Sequence, residues 1–148
     1  MSRQRKPALR PSKVRILIAD DFAPWRQLIR NLLQKRPDWL VVHEASNGIE
    51  AVEKAVELCP DVVVLDIGMP GLSGLAVATL LRTKRPGSIL IFVTQVHDPE
   101  IKAAALQLAG AAYLLKTEAA TGLVNAIVNA LQSRSKDGNL VRVQGTQS

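Results

Sequence analysis

Five side chains spread over nearly a hundred positions are of types that complement one another: Asp20, Asp21, Asp66, Thr94 and Lys116. Three carboxylates brought together would carry three negative charges, and at ~4 Å with an effective dielectric of ~20 each like-charged pair costs about 4 kcal/mol. A hard divalent cation with oxygen ligands relieves such repulsion, and one lysine ammonium brings the sum roughly to zero. Taken singly, each residue has an ordinary explanation. An acid pair before a helix is a cap, and the others read as a turn residue, a strand-end hydroxyl and an exposed charge. Only if the fold gathers them does the set mean chemistry.

The elements that would gather them repeat one pattern five times. A short aliphatic run is followed by helical spacing and then by punctuation. The runs predict strands at 14–20, 39–45, 62–66, 88–94 and 111–115. The spacing predicts helices at 23–35 (Leu28, Ile29, Leu32 and Leu33 inward), 48–58 (Val52, Ala55 and Val56 inward), 73–84, 98–109 and 118–132. Proline in KRPDW, LCPDV and KRPGS stops three helices, and Asp98–Pro99 suits the start of a fourth. Alternation of this kind argues for an α/β fold, a doubly wound five-stranded parallel sheet with helices on both faces. Strands as apolar as ILIA and VVVL fit burial on both sides.

In such a sheet every strand points its C-terminal end at one rim, where ligands bind. Strand one ends in Asp20–Asp21, strand three in Asp66, strand four in Thr94, and strand five runs into Lys116. The stretch VVVLDIGMPGLSG makes the point locally: a buried strand delivers one acid into a loop broken by Gly68, Pro70, Gly71 and Gly74.

Composition narrows the classes further. The chain has 148 residues, 47% of them hydrophobic, enough for one domain with a real core. No apolar run reaches bilayer length, and no apolar segment follows the charged MSRQRKPALRPSK, so a cytoplasmic protein without membrane association is expected. The lone Cys59 excludes an internal disulfide and reads as a packing residue near a helix end. The net charge of +6 is local: Arg3, Arg5, Lys6, Arg10, Lys13 and Arg15 account for it, leaving 13 basic residues against 13 acidic ones. Residues 1–13 therefore read as a basic, flexible arm, 14–132 as the folded domain, and 133–148 as a polar, loose tail. His43 and His97 have no metal-ligand partner at a suitable spacing, and Trp25 and Trp39 read as packing residues.

As a set, the acidic pair in ILIADD, LDIGMPGLSG, FVT and GAAYLLKTE resemble the receiver domain of two-component response regulators, over residues 14–132. EASNGIEAVEKA, LSGL and LLKTEA are closest in texture to receivers of the NarL/LuxR type. The resemblance implies a flavodoxin-like sheet of order 2-1-3-4-5. It implies that Asp66 is the phosphoacceptor, that Mg²⁺ is held by Asp20, Asp21, Asp66 and the backbone carbonyl of Gly68, and that Lys116 meets the phosphoryl oxygens. Thr94 would be the switch hydroxyl and Tyr113 the aromatic that reorients with it. The implied partners are a sensor histidine kinase or phosphotransfer protein and a downstream protein target, with dimerisation through helix faces compatible with the family. Such a domain phosphorylates and dephosphorylates itself in signalling and is not a turnover enzyme.

Several positions depart from the family pattern. Gln95 stands where many receivers have a small residue, and Thr117 where proline is common. Gly68 and Val96 offer no polar side chain to orient a water, which predicts slow loss of phosphate. The 16 residues after 132 cannot hold a helix-turn-helix, so no DNA-binding domain is expected in this chain. Gly68 stands where a haloacid-dehalogenase-type phosphohydrolase needs a second Asp, and DDFAP is too acidic for a flavodoxin phosphate loop. The remaining alternative is an interaction module that keeps the receiver shape without using phosphorylation.

Overall fold

The computed structural model describes residues 13–108 and 110–147, with side chains up to 135; the basic stretch expected as a flexible arm lies almost wholly outside the described residues. Five strands alternate with five helices: β1 (Val14–Ala19), α1 (Ala23–Leu33), β2 (Trp39–Ala45), α2 (Gly48–Leu58), β3 (Val62–Leu65), α3 (Gly74–Lys84), β4 (Ile89–Thr94), α4 (Pro99–Leu108), β5 (Gly110–Leu115) and α5 (Ala119–Gln147). A 3-10 turn, Lys116–Glu118, joins β5 to α5. All pairings are parallel and the sheet order is β2-β1-β3-β4-β5, as the resemblance implied.

The strands are apolar throughout because each feeds two cores. Leu17, Ala19, Val63, Leu65, Leu90 and Phe92 pack against Ala51 and Ala55 of α2, Val77 and Leu81 of α3, and Ala105 of α4. Ile16, Ile18, Val62, Val64, Ile91 and Val93 pack against Ile29 and Leu33 of α1 and Leu123 and Ile127 of α5. The two-residue side-chain period of a strand makes this division.

Helix starts follow their local chemistry. Asn47 and Ser73 cap α2 and α3, accepting from the amides of Glu50 and Ala76. Asp98 accepts the Glu100 amide at 2.8 Å at the start of α4.

The structure corrects four details. Leu28 and Val56 are exposed, while Ile29, Leu33, Ala51 and Ala55 take the buried faces. Cys59 is exposed and adopts a left-handed conformation (φ 51°) that ends α2, so it closes a helix instead of packing a core. α5 runs on to Gln147, so 133–147 is helical where a loose tail was expected. No proline follows Pro99, so no residue there lacks the N–H that continues a helix.

Candidate functional site

The five residues converge at the C-terminal rim of β1, β3, β4 and β5. The carboxylate ligand atoms of Asp20, Asp21 and Asp66 lie within 4.8 Å of one another. Lys116 Nζ is 2.7 Å from Asp20 Oδ2 and 3.4 Å from Asp66 Oδ2. Asp20, Asp66 and Thr94 are buried and Asp21 is exposed, so the cluster opens to solvent on one side. Asp21, Asp66, Gly68, Thr94 and Lys116 line a cavity of about 310 Å³ together with Phe22, Gln95 and Val96. A larger hollow, about 760 Å³, lies at the other rim beside Pro86–Ile89 and α5. Its one ionisable lining residue is Arg134, so size does not mark the chemistry.

Two of the acids are held by their own loops. Asp20 Oδ1 accepts the Phe22 amide at 2.9 Å, and Asp66 Oδ1 accepts the Gly68 amide at 3.3 Å. The Asp66 loop is pinned by α3. The Gly74 amide donates to the Ile67 carbonyl at 2.8 Å, and a Cβ on Gly74 would lie 2.2 Å from the Asp66 carbonyl oxygen. Glycine at 74 is what lets the helix approach so closely. Lys116 is set by the turn after β5, where Glu118 accepts the Leu115 amide at 2.8 Å.

Burial pushes the Asp20 carboxyl above its usual range, and the neighbouring charge of Asp66 adds to this; Lys116 and the Phe22 amide oppose it. Burial alone would lower the Lys116 ammonium, but the contact with Asp20 and the charge of Asp66 outweigh it and raise it. Lys116 is thus a fixed cation. Its approach to Asp20 Oδ2 is short but not aligned as a hydrogen bond, which leaves that buried oxygen without a directed donor. An oxygen in this state, beside two further carboxylates, suits a hard oxygen-seeking cation such as Mg²⁺.

Thr94 Oγ1 accepts the Val96 amide at 3.3 Å, and the Tyr113 hydroxyl donates to the Val96 carbonyl at 2.7 Å. Tyr113 is buried, its ring centroid 6.2 Å from that of Phe92. The peptide after Lys116 is trans, as are all others among the described residues.

Three residues at the site, Phe22, Trp25 and Arg26, were not singled out for it in the sequence. Phe22 and Gln95 line the cavity, and Lys116 Nζ sits 5.2 Å from the centre of the Trp25 ring. Arg26 donates to the Asp20 carbonyl at 2.7 Å. For Phe22 the signal was adjacency to Asp21; for Trp25 and Arg26 it was their place in the first turn of the helix that leaves the acidic pair.

Comparison with known proteins agrees with this geometry. Residues 16–128 match the family model described as the response regulator receiver domain. The chain is 33% identical over 139 residues to protein-glutamate methylesterase/protein-glutamine glutaminase 2 of Carboxydothermus hydrogenoformans, covering 90% of this chain and 39% of that protein. It is 37% identical over 116 residues to the nitrate/nitrite response regulator protein NarL of Escherichia coli K12, covering 78% of this chain and 53% of that one. The chain therefore spans about half or less of these relatives. Among solved structures, the response regulator domain of Thermotoga maritima CheB superposes with a TM-score of 0.75 at 31% identity, covering 81% of this chain and 97% of that one. The receiver domain of the response regulator NarL from Mycobacterium tuberculosis gives 0.77 at 32%, covering 82% and 98%. No helix among the described residues is long and apolar enough to cross a membrane. With fold, strand-end acids and sequence in agreement, the chain belongs to the response regulator receiver domain family.

Proposed function

We propose that Asp66 accepts a phosphoryl group from a phosphohistidine on a sensor kinase or phosphotransfer protein, and that the resulting change of conformation signals to a protein target. The supporting observation is the placement of Asp66 at the floor of an open cavity, with two further acids and one fixed ammonium around it.

Asp20, Asp21 and Asp66 would hold Mg²⁺, with the Gly68 carbonyl as a fourth ligand; when bound, the ion supplies the positive charge that the three acids and an incoming phosphoryl group require. An Asp66 carboxylate oxygen attacks phosphorus, the N–P bond of the donor breaks, and the imidazole leaves with the electron pair and takes up a proton. Phosphoryl transfer has a loose transition state, so positioning and charge neutralisation are most of the catalysis. Lys116 already stands within 3.4 Å of Asp66 and moves onto the phosphoryl oxygens with little rearrangement.

A phosphoryl oxygen on Asp66 can accept from the Thr94 hydroxyl and draw it toward Asp66. That hydroxyl now faces the Val96 amide, and Val96 in turn holds Tyr113, so a shift of the loop after β4 reaches β5 directly. The phosphorylated form thereby gains contacts that the free form lacks, which is what shifts a population. The chemistry needs no second substrate site, in keeping with a signalling domain that modifies itself.

Incubation with acetyl phosphate and Mg²⁺, followed by intact-mass measurement, tests the reading. One added phosphoryl group on the protein and none on Asp66→Asn is expected. An unmodified protein would favour the phosphorylation-independent interaction module.

A further inference from the structure

Resting on the reading of Asp20 and Asp21 as cation ligands, we propose that Arg26 is a positioning residue for this acidic pair and sets the affinity of the site for Mg²⁺.

Arg26 reaches two strand ends from the first turn of α1. Its Nη1 donates to the Asp20 backbone carbonyl at 2.7 Å, and its Nε lies 3.3 Å from Glu44 Oε1 near the end of β2. Its side chain is only 15% exposed. The other oxygen of Glu44 accepts from Arg30 at 2.9 Å, which fixes the carboxylate that orients Arg26. The Arg26 amide donates to the Phe22 carbonyl at 3.1 Å, so both ends of the Asp20–Phe22 segment are tied to this one residue.

A guanidinium beside a divalent-cation site works against binding by charge, so charge is not its contribution; Glu44 offsets it. What the group supplies is direction. Its planar fork donates in two fixed directions, and the carbonyl it holds belongs to the peptide that joins Asp20 to Asp21. Rotation of that peptide would carry both carboxylates away from Asp66. Groups that orient metal ligands from outside typically change affinity by about 10–100-fold when removed.

The test is calorimetric titration of Mg²⁺ into the protein, Arg26→Gln, Arg26→Lys and Glu44→Gln, with urea unfolding of each in chelator. Arg26→Gln should weaken Mg²⁺ by about 10–100-fold. Arg26→Lys should recover part of the loss, because an ammonium replaces the bond to the carbonyl but not the fork. Glu44→Gln should weaken Mg²⁺ by less than Arg26→Gln. At saturating Mg²⁺ the rate of Asp66 labelling should stay within about twofold, which separates positioning from chemistry. An unchanged Mg²⁺ constant in folded Arg26→Gln, with only stability reduced, would overturn the proposal and leave a structural ion pair. Should Arg26→Gln not fold, an unchanged constant in Arg26→Lys decides against it. A parent protein that takes up no Mg²⁺ would instead sink the reading of the site, and this inference with it.

Discussion

The Tyr113 hydroxyl donates to the backbone carbonyl of Val96 at 2.7 Å, tying β5 to the loop that follows Thr94. Burial raises the phenol above its ordinary value, helped by the charges of Asp66 and Asp98, so it remains a donor throughout the neutral range. Tyr113→Phe should remove this bond and leave the carbonyl without a partner, at about 1–3 kcal/mol. Urea unfolding would read the loss as a lower midpoint at unchanged slope. An unchanged midpoint would mean that the loop is held by other contacts.

Gly74→Ala tests how the loop that carries Asp66 is supported. The added Cβ meets the Asp66 carbonyl at 2.2 Å and the Ile67 Cα at 2.7 Å, both of them backbone. Either α3 or the Asp66 loop must move, at about 1–3 kcal/mol or more. Labelling by acetyl phosphate should slow while Gly87→Ala, where nothing lies within 4 Å of the new Cβ, leaves it unchanged. Equal rates in the two variants would contradict this support.

Acid stability should depend on Glu50. Its carboxyl accepts the Ser46 amide at 2.8 Å and contacts His43 Nε2 at 2.7 Å, and these bonds, the amide first, hold it below its usual value of 4.5. A depressed carboxylate contributes stability above its unfolded value and loses it as pH falls through the folded one. Melting temperature should therefore drop from pH 4.5 downward in the parent protein, and that limb should be shallower in Glu50→Gln. Identical acid limbs would remove Glu50 from the explanation.

Phosphate on Asp66 should be long-lived. Gly68 and Val96, which flank the cavity, carry no polar side chain to direct a water, and Gln95 stands at its wall. Decay of labelled phosphate over minutes or longer is expected, with Gly68→Asn faster. A lifetime of seconds would show that Gln95 or solvent alone activates the attacking water.

The parts of this site legible in the sequence are those that follow from strand polarity. Asp20, Asp66, Thr94 and Lys116 could be placed together because strands announce themselves by short apolar runs and all end at one rim. The unbroken apolar runs also announced burial on both sides, and Leu17 and Ile18 do face opposite cores. What escaped were contacts between elements. Arg26 and Glu44 are 18 residues apart and each reads as a surface charge on its own element. Leu28 and Ile29 are both apolar, and only the angle of α1 against the sheet decides which is buried. Cys59 escaped because its backbone conformation, not its side chain, sets its role.

The most direct measurement is the Mg²⁺ dependence of Asp66 labelling by acetyl phosphate, followed by intact mass in the parent protein, Asp21→Asn and Asp66→Asn. Labelling of the parent should rise to saturation with Mg²⁺ and vanish in chelator, Asp21→Asn should need far more Mg²⁺, and Asp66→Asn should stay unlabelled throughout. Labelling that proceeds equally well in chelator, or on a residue other than Asp66, would contradict the assignment of the three acids to one metal-dependent phosphoacceptor site.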